Sequence, residues 1–535
     1  MPAATTQLEQ YNAQREELIK SDRALRRDHQ VASLSAVEIE ADQIIRKIRA
    51  AEANSIWNLD YPSVPHPFPG MEFLTGREII VKTKLFKILT KMPKGGLLHA
   101  HLDGTVNVSV LLRLALKHRA IHVRTPESLT TQNIKTVLPQ FCALPEKEYS
   151  KNALGLTETT YQPNSWVPIQ VAREQFHPEL GGPEGFDRWV TKALTIDPSE
   201  AYGTHNTSTK IWLKFGSTFL VGGGLVRYAP IIEEYIKEFF LTSIEDGISY
   251  VEPRINFMYK NIIAADGTPV PQRELVAIFD RVIGEVKEEM KQRGREGEFV
   301  GARIIYSTVR FCTNEELEWY LNDCIALKKE FPHLIAGFDL VGHEDALHPL
   351  IYYAESLLRF PQMQKEAGVD IPFIFHAGET LGDGTVADMN LYDAILMGTK
   401  RIGHGFSLVK HPKLMEICKE RDIAVEVCPI SNEILRLTSS MCTHPLPVLL
   451  NNGIHVALCS DDPSVFGNMG LTFDYFQVLA ASELTGLIQL SEMAKDSIKY
   501  STLETSAKEE ALDLWQRQWQ KFVEYVVEAG RSGSV

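Results

Sequence analysis

An α/β fold of (β/α)8 type, a TIM barrel, is what this sequence predicts, and three observations carry the prediction. Eight short runs, at 96–101, 248–255, 301–307, 335–340, 371–376, 400–404, 423–428 and 454–459, are rich in apolar, β-branched or aromatic residues. That composition suits parallel strands buried on both faces. Between most of them lie about 20 to 45 residues of helical pattern, enough for the crossover of a repeated βα unit. Eight such units close a barrel. At 535 residues the chain also exceeds the roughly 250 of a typical barrel, which leaves room for additions.

Those additions follow in chain order. From about 8 to 55 the sequence is rich in Glu, Gln, Arg, Lys and Ala, and Val37, Ala41, Ile44, Ile45 and Ile48 fall on one helical stripe. Ser35 with Glu38 suits a capping box at a helix start. The Pro-rich stretch 61–70 ends helical structure and serves as a linker. Residues 1–88 therefore form a helical arm and linker, and 89–535 the barrel. The interval between the first two strands is outsized. Its later part, 222–241, reads as the first barrel helix, leaving about 116–209 as an insertion after strand one. A structureless loop that long is improbable, so a small subdomain beside the active-site face is expected. The stretch 490–529 is helical, with Trp515, Trp519, Phe522 and Val526 as a buried stripe.

Bulk properties narrow the class. A net charge of -14 and a pI near 5.7 argue against nucleic acid as a partner. The seven cysteines form no Cys-x-x-Cys and no even framework, so neither a disulfide scaffold nor a thiolate zinc site is indicated. Residues 1–10 lack a basic start followed by an apolar stretch, and no run of about 18 apolar residues could span a membrane. A cytoplasmic protein without a membrane partner is the expectation. Asn107 and Asn206 open glycosylation sequons in form only.

The chemistry lies at strand ends. His99 and His101 close the first run two residues apart, so both imidazoles share one face of the strand. His376 ends the fifth run, His404 the sixth, and Asp461 and Asp462 follow the eighth. In a parallel barrel these ends converge over one mouth. Three imidazoles and a carboxylate suit Zn2+, and an ion so held lowers the pKa of water towards neutrality.

The motifs His99-Ala100-His101-Leu102-Asp103-Gly104, His376-Ala377-Gly378-Glu379, Gly403-His404-Gly405 and Ser460-Asp461-Asp462-Pro463, in that order, resemble adenosine deaminase of the metal-dependent amidohydrolase superfamily. Ala336 to Asp345, Glu426-Val427-Cys428-Pro429-Ile430-Ser431-Asn432 and Ser497 to Leu503 are similar to the growth-factor branch of that family. The resemblance runs from about Pro93 to Phe522. It implies one Zn2+ per chain held by His99, His101, His376 and Asp461, and hydrolytic deamination of adenosine and 2′-deoxyadenosine. Addition of water at C6 disrupts the aromatic ring unless N1 is protonated, and Glu379 matches that proton donor. His404 matches the residue that orients the water and accepts its proton. Asp462 matches a partner of N7, and Gly342 offers a backbone N–H near N3.

Asp103 matches the ribose-binding Asp of adenosine deaminase proper, whereas the growth-factor branch tends to place that Asp directly after the second His. Trp212, Phe215 and Phe219 lie in a segment similar to that branch's wall beside the nucleoside pocket. Val309 stands where secreted relatives carry a His. The resemblance further implies a homodimer built on the N-terminal arm, and it offers the extracellular space as the alternative location. Two other readings stand beside deamination of adenosine: deamination of AMP or a modified adenine nucleotide, which needs an Arg or Lys phosphate site, and a non-catalytic signalling role on the same scaffold.

Overall fold

The computed structural model describes residues 6–31, 33–150 and 154–533. The first five residues of the segment inspected for a leader lie outside them. Eight strands stand where the apolar runs predict them: β1 (Gly95–Leu97), β2 (Ile248–Val251, resumed at Arg254–Asn256), β3 (Gly301–Ala302 and Ile304–Val309), β4 (Ile335–Val341), β5 (Phe375–Ala377), β6 (Arg401–His404), β7 (Ala424–Val427) and β8 (Val456–Leu458). Neighbours pair in parallel from β1 to β4 and again from β5 to β8. Single bridges, Phe338 with Phe373 and Ala100 with Asp461, join the two arcs into a closed barrel. The crossover helices bury their inner faces on it; Arg273–Gln292, for example, buries Val276, Phe279, Val282 and Val286 at helical spacing.

Two expected helices are each divided. The segment 222–241 belongs to Ser208–Val226 and Ala229–Glu245, because Pro230 in the first turn of the second helix starts a new one. The C-terminal segment forms Leu487–Lys499 and Thr505–Ser532, the latter burying Trp515, Trp519, Phe522 and Val526. Between them Thr502 donates its backbone N–H (2.6 Å) and hydroxyl (2.7 Å) to Glu252 inside the barrel.

At the N-terminus Gln7–Asp22 carries a Thr6/Glu9 capping box yet buries none of its residues. The Ser35/Glu38 capping box is present at the start of Ala36–Ser55, which buries Ala41 and Ile45. Trp519 donates to Glu38 at 2.9 Å, tying this helix to the C-terminal one. After the helix Val108–Lys117, strands Ile121–Arg124, Gln140–Ala143 and Val167–Pro168 form a small antiparallel sheet. The helices Ile169–Glu174 and Gly182–Leu194 follow. No helix among the described residues is long and apolar enough to cross a membrane.

Glu433 joins three regions. Its Oε2 accepts from the N–H of Phe73, where a helix begins, and from the hydroxyl of Tyr202, both at 3.0 Å. Burial pushes its carboxyl up from about 4.5 to about 8, although Phe73 and Tyr202 pull the other way. A carboxyl protonated more readily when folded stabilises the fold fully below about 4.5 and loses that contribution as pH rises through about 8. The melting temperature of the native chain is therefore expected to fall, relative to that of Glu433→Gln, between those pH values. Parallel thermal scans of the two proteins check this.

Candidate active site

The barrel topology delivers the expected convergence. One ligand atom from each of His99, His101, His376 and Asp461 falls in a cluster whose members all lie within 4.8 Å of one another. Asp461 Oδ1 stands 3.4 Å from His99 Nε2 and 3.3 Å from His101 Nε2. Four donors at about 2.0–2.1 Å in a tetrahedron around one ion stand about 3.3 Å apart, so the spacing fits a metal. His99 Nε2 and Asp461 Oδ1 are also buried without hydrogen-bond partners among the described residues, a costly arrangement unless an ion occupies the centre. His404 and Asp461, both with φ of 60°, hold a left-handed backbone rarely adopted by residues with a side chain.

The opposite edges of the histidines explain their aim. His99 Nδ1 meets Glu426 Oε2 at 2.8 Å and His376 Nδ1 meets Asp339 Oδ2 at 2.6 Å. Carboxylates there leave each Nε2 free to face the cluster. One guanidinium serves both: Arg254 donates Nε to Asp339 at 2.7 Å and Nη2 to Glu426 at 2.8 Å. The chain of charges continues inward, from Glu426 to Arg401 and from Arg401 to Glu252, each at 2.6 Å. Burial would raise the acids, but His376 and Arg254 hold Asp339 low and Arg254 and Arg401 hold Glu426 low. Burial pushes His376 down to about 3, which keeps its imidazole in the neutral form a metal requires. Ser431 Oγ donates to the second oxygen of Asp461 at 2.8 Å.

Glu379 and His404 flank this cluster. Burial raises the Glu379 carboxyl well above its ordinary range, and the negative charges of Asp461 and Glu344 add to the effect. Glu344 fixes the turn, accepting from the N–H groups of Gly378 (3.2 Å) and Glu379 (2.8 Å). Arg310 closes the same turn by donating to the carbonyl of His376. A relay sets His404. The N–H of Leu446 donates to His444 Nδ1, so His444 Nε2–H donates to Asn432 Oδ1 at 3.1 Å, and the Asn432 amide NH2 faces His404 Nδ1 at 3.2 Å. His404 then accepts at Nδ1, and burial with His99 nearby holds it neutral.

The remaining predicted residues line one cavity of about 490 Å³ that opens from the cluster: Asp103, Trp212, Phe215, Phe219, Gly342 and Asp462. Trp212 stacks on His343 with centroids 4.5 Å apart, and Phe215 meets Phe219 edge-on at 5.0 Å. Burial, then Asp461 and Asp103, raise Asp462 well above the carboxylate range. Gly342, with φ of 109°, lies against Leu347, which a Cβ would approach to 2.8 Å. At Gly104 a Cβ would sit 2.1 Å from Asp462 Oδ1. Gly104→Ala is therefore expected to displace Asp462 and lower kcat/KM on the order of 10²-fold. Steady-state kinetics beside a melting curve check that the loss is local.

Arg254, Asp339, Glu344, Glu426, Ser431 and Asn432 join the site without a role that the sequence alone reveals. The available signal was charge where a buried strand should be apolar: Arg254 in β2, Asp339 in β4 and Glu426 in β7.

Known proteins match this picture. The sequence profile of a family described as adenosine deaminase matches residues 195–517. Adenosine deaminase 2-A of Danio rerio is 34% identical over 85% of this chain and 84% of its own length. The N6-methyl-AMP deaminase of Arabidopsis thaliana superposes with a TM-score of 0.53 at 16% identity, over 81% of this chain and 98% of that one. An amidohydrolase from Burkholderia ambifaria, solved with bound zinc, gives 0.50 at 15% identity, over 86% and 98%. Both structures share the barrel.

Proposed function

Because the chain belongs to the adenosine deaminase family, we propose that it hydrolyses adenosine and 2′-deoxyadenosine to the inosine nucleosides and ammonia with one zinc ion. The observation that carries this reading is a four-ligand cluster with a buried, high-pKa carboxyl beside it. His99, His101, His376 and Asp461 would hold the ion, which when bound supplies the Lewis acidity that makes water nucleophilic near neutral pH.

The chain's own groups do the rest. Glu379, kept protonated by its surroundings, donates its proton to N1 as water adds to C6, so the ring need not carry negative charge. Asp462, when protonated, would donate to N7, the N–H of Gly342 would reach N3, and Asp103 would receive the sugar. His404 orients the attacking water. It also accepts, at the Nδ1 that faces the Asn432 amide, the proton that water loses on adding to C6, and that proton leaves with N6 as ammonia. Trp212, Phe215 and Phe219 wall the pocket and exclude water.

A substrate panel tests the reading. With zinc-loaded protein, adenosine is expected to be deaminated with a far higher kcat/KM than AMP, and a preference for AMP would contradict it. No turnover would favour a non-catalytic signalling role. A homodimer through the N-terminal arm is supported by the exposed Leu8, Tyr11 and Leu18 on a helix that buries nothing in its own chain; a monomeric mass by light scattering would contradict it. A cytoplasmic location is supported by seven free thiols, and protein recovered chiefly from the medium would contradict it.

A further inference from the structure

Resting on the deaminase reading, we propose that the outer half of the pocket is built for adenine nucleosides whose 5′ carbon carries an apolar group in place of a hydroxyl or a phosphate. The chemistry at C6 is the same: water supplies the oxygen, the C6–N6 bond breaks, ammonia leaves, and the 5′ group is untouched.

Polarity is distributed unevenly along the cavity. Its inner end holds His101, His376, His404, Glu379, Asp461 and Asp462. C6 and N9 lie at opposite ends of the purine, so a base with C6 against these groups must direct its sugar outwards. Beyond those groups and Asp103 the lining is mostly apolar, with Ile232, Ile255, Met258, Ile262 and Leu275 beside the polar Asn256, Tyr259 and Gln272. At the rim Leu213, Leu220 and Phe311 line the same cavity and are 73%, 72% and 56% exposed. Large apolar side chains left open around a pocket mark a surface that an apolar ligand covers. Val309, at the end of β3, extends the apolar lining towards Gly342.

A phosphate finds no such welcome. Arg227 is the one Lys or Arg among the described residues that line the cavity. Its guanidinium stacks over Tyr259 at 4.1 Å and donates Nη2 to the carbonyl of Asn261 at 3.2 Å, while its Nε has no partner among the described residues, so a phosphate would meet one cationic side chain and no second to converge with it. Phosphate recognition calls for free, convergent cationic donors.

The test compares kcat/KM of the zinc-loaded protein for adenosine, 5′-deoxyadenosine, 5′-methylthioadenosine and AMP. The proposal expects the methylthio nucleoside to equal or exceed adenosine, with AMP lowest. Leu220→Gln and Phe311→Gln, both exposed at the rim, should lower kcat/KM for the methylthio nucleoside about tenfold and leave adenosine within about twofold. Normal turnover of adenosine with a poorer methylthio substrate would overturn the proposal alone, as would variants that depress both substrates equally. Absence of turnover with every nucleoside would overturn the deaminase reading and this proposal together.

Discussion

Glu379→Gln is expected to lower kcat for adenosine by about 10²- to 10⁴-fold, the usual contribution of a positioned acid, while zinc content and the melting temperature stay near those of the native chain. The amide has nearly the shape of the acid and can still donate to N1, but it cannot surrender a proton. Ground-state binding should therefore survive, and the loss should fall on kcat more than on KM. The environment makes the acid's protonation the economical state. The carboxyl is buried, Asp461 and Glu344 lie near, and Oε1 has no hydrogen-bond partner among the described residues. Glu344 acts through the backbone of this turn, so it positions Glu379 without touching substrate. Steady-state kinetics with metal analysis on both proteins check the expectation.

Arg254→Met is expected to weaken zinc affinity by about 10- to 100-fold, the range seen when groups that orient ligands are removed. The reason is geometric. A single buried guanidinium bridges Asp339 and Glu426, and those two carboxylates orient His376 and His99. Its removal leaves two acids buried with less compensation, which costs about 3–5 kcal/mol where a buried pair is broken. Competition with a chromophoric chelator measures the affinity directly, without relying on activity. Arg254→Lys keeps the charge but loses the two-pronged donation, so it should fold more readily and still bind zinc more weakly than the native chain. Native affinity in both variants would remove Arg254 from the positioning role.

The parts of this account that were legible in the sequence share a property: they depend on period and punctuation. All eight strands could be read because burial on both faces leaves continuous apolar runs. The histidines and aspartates at their ends could be read because the topology turns strand ends into one locus. Where one helical pattern covers two helices, the break depends on something local. Pro230 begins a new turn, and the segment around Thr502 leaves its helix to reach Glu252. The ionic chain from Glu252 to His376 was illegible for a different reason. Each charged residue in a buried strand looks like an exception until its partner, many residues distant, is known. Asn432 likewise gains its meaning only from His444 and the N–H of Leu446, which fix the direction of its amide.

The most direct test of the central claim strips the metal from the purified chain with a chelator and restores zinc in steps, with inosine and ammonia measured alongside. Deamination of adenosine should vanish on stripping and return in proportion to zinc, reaching its limit at about one ion per chain. Undiminished deamination by the metal-free chain would contradict the account.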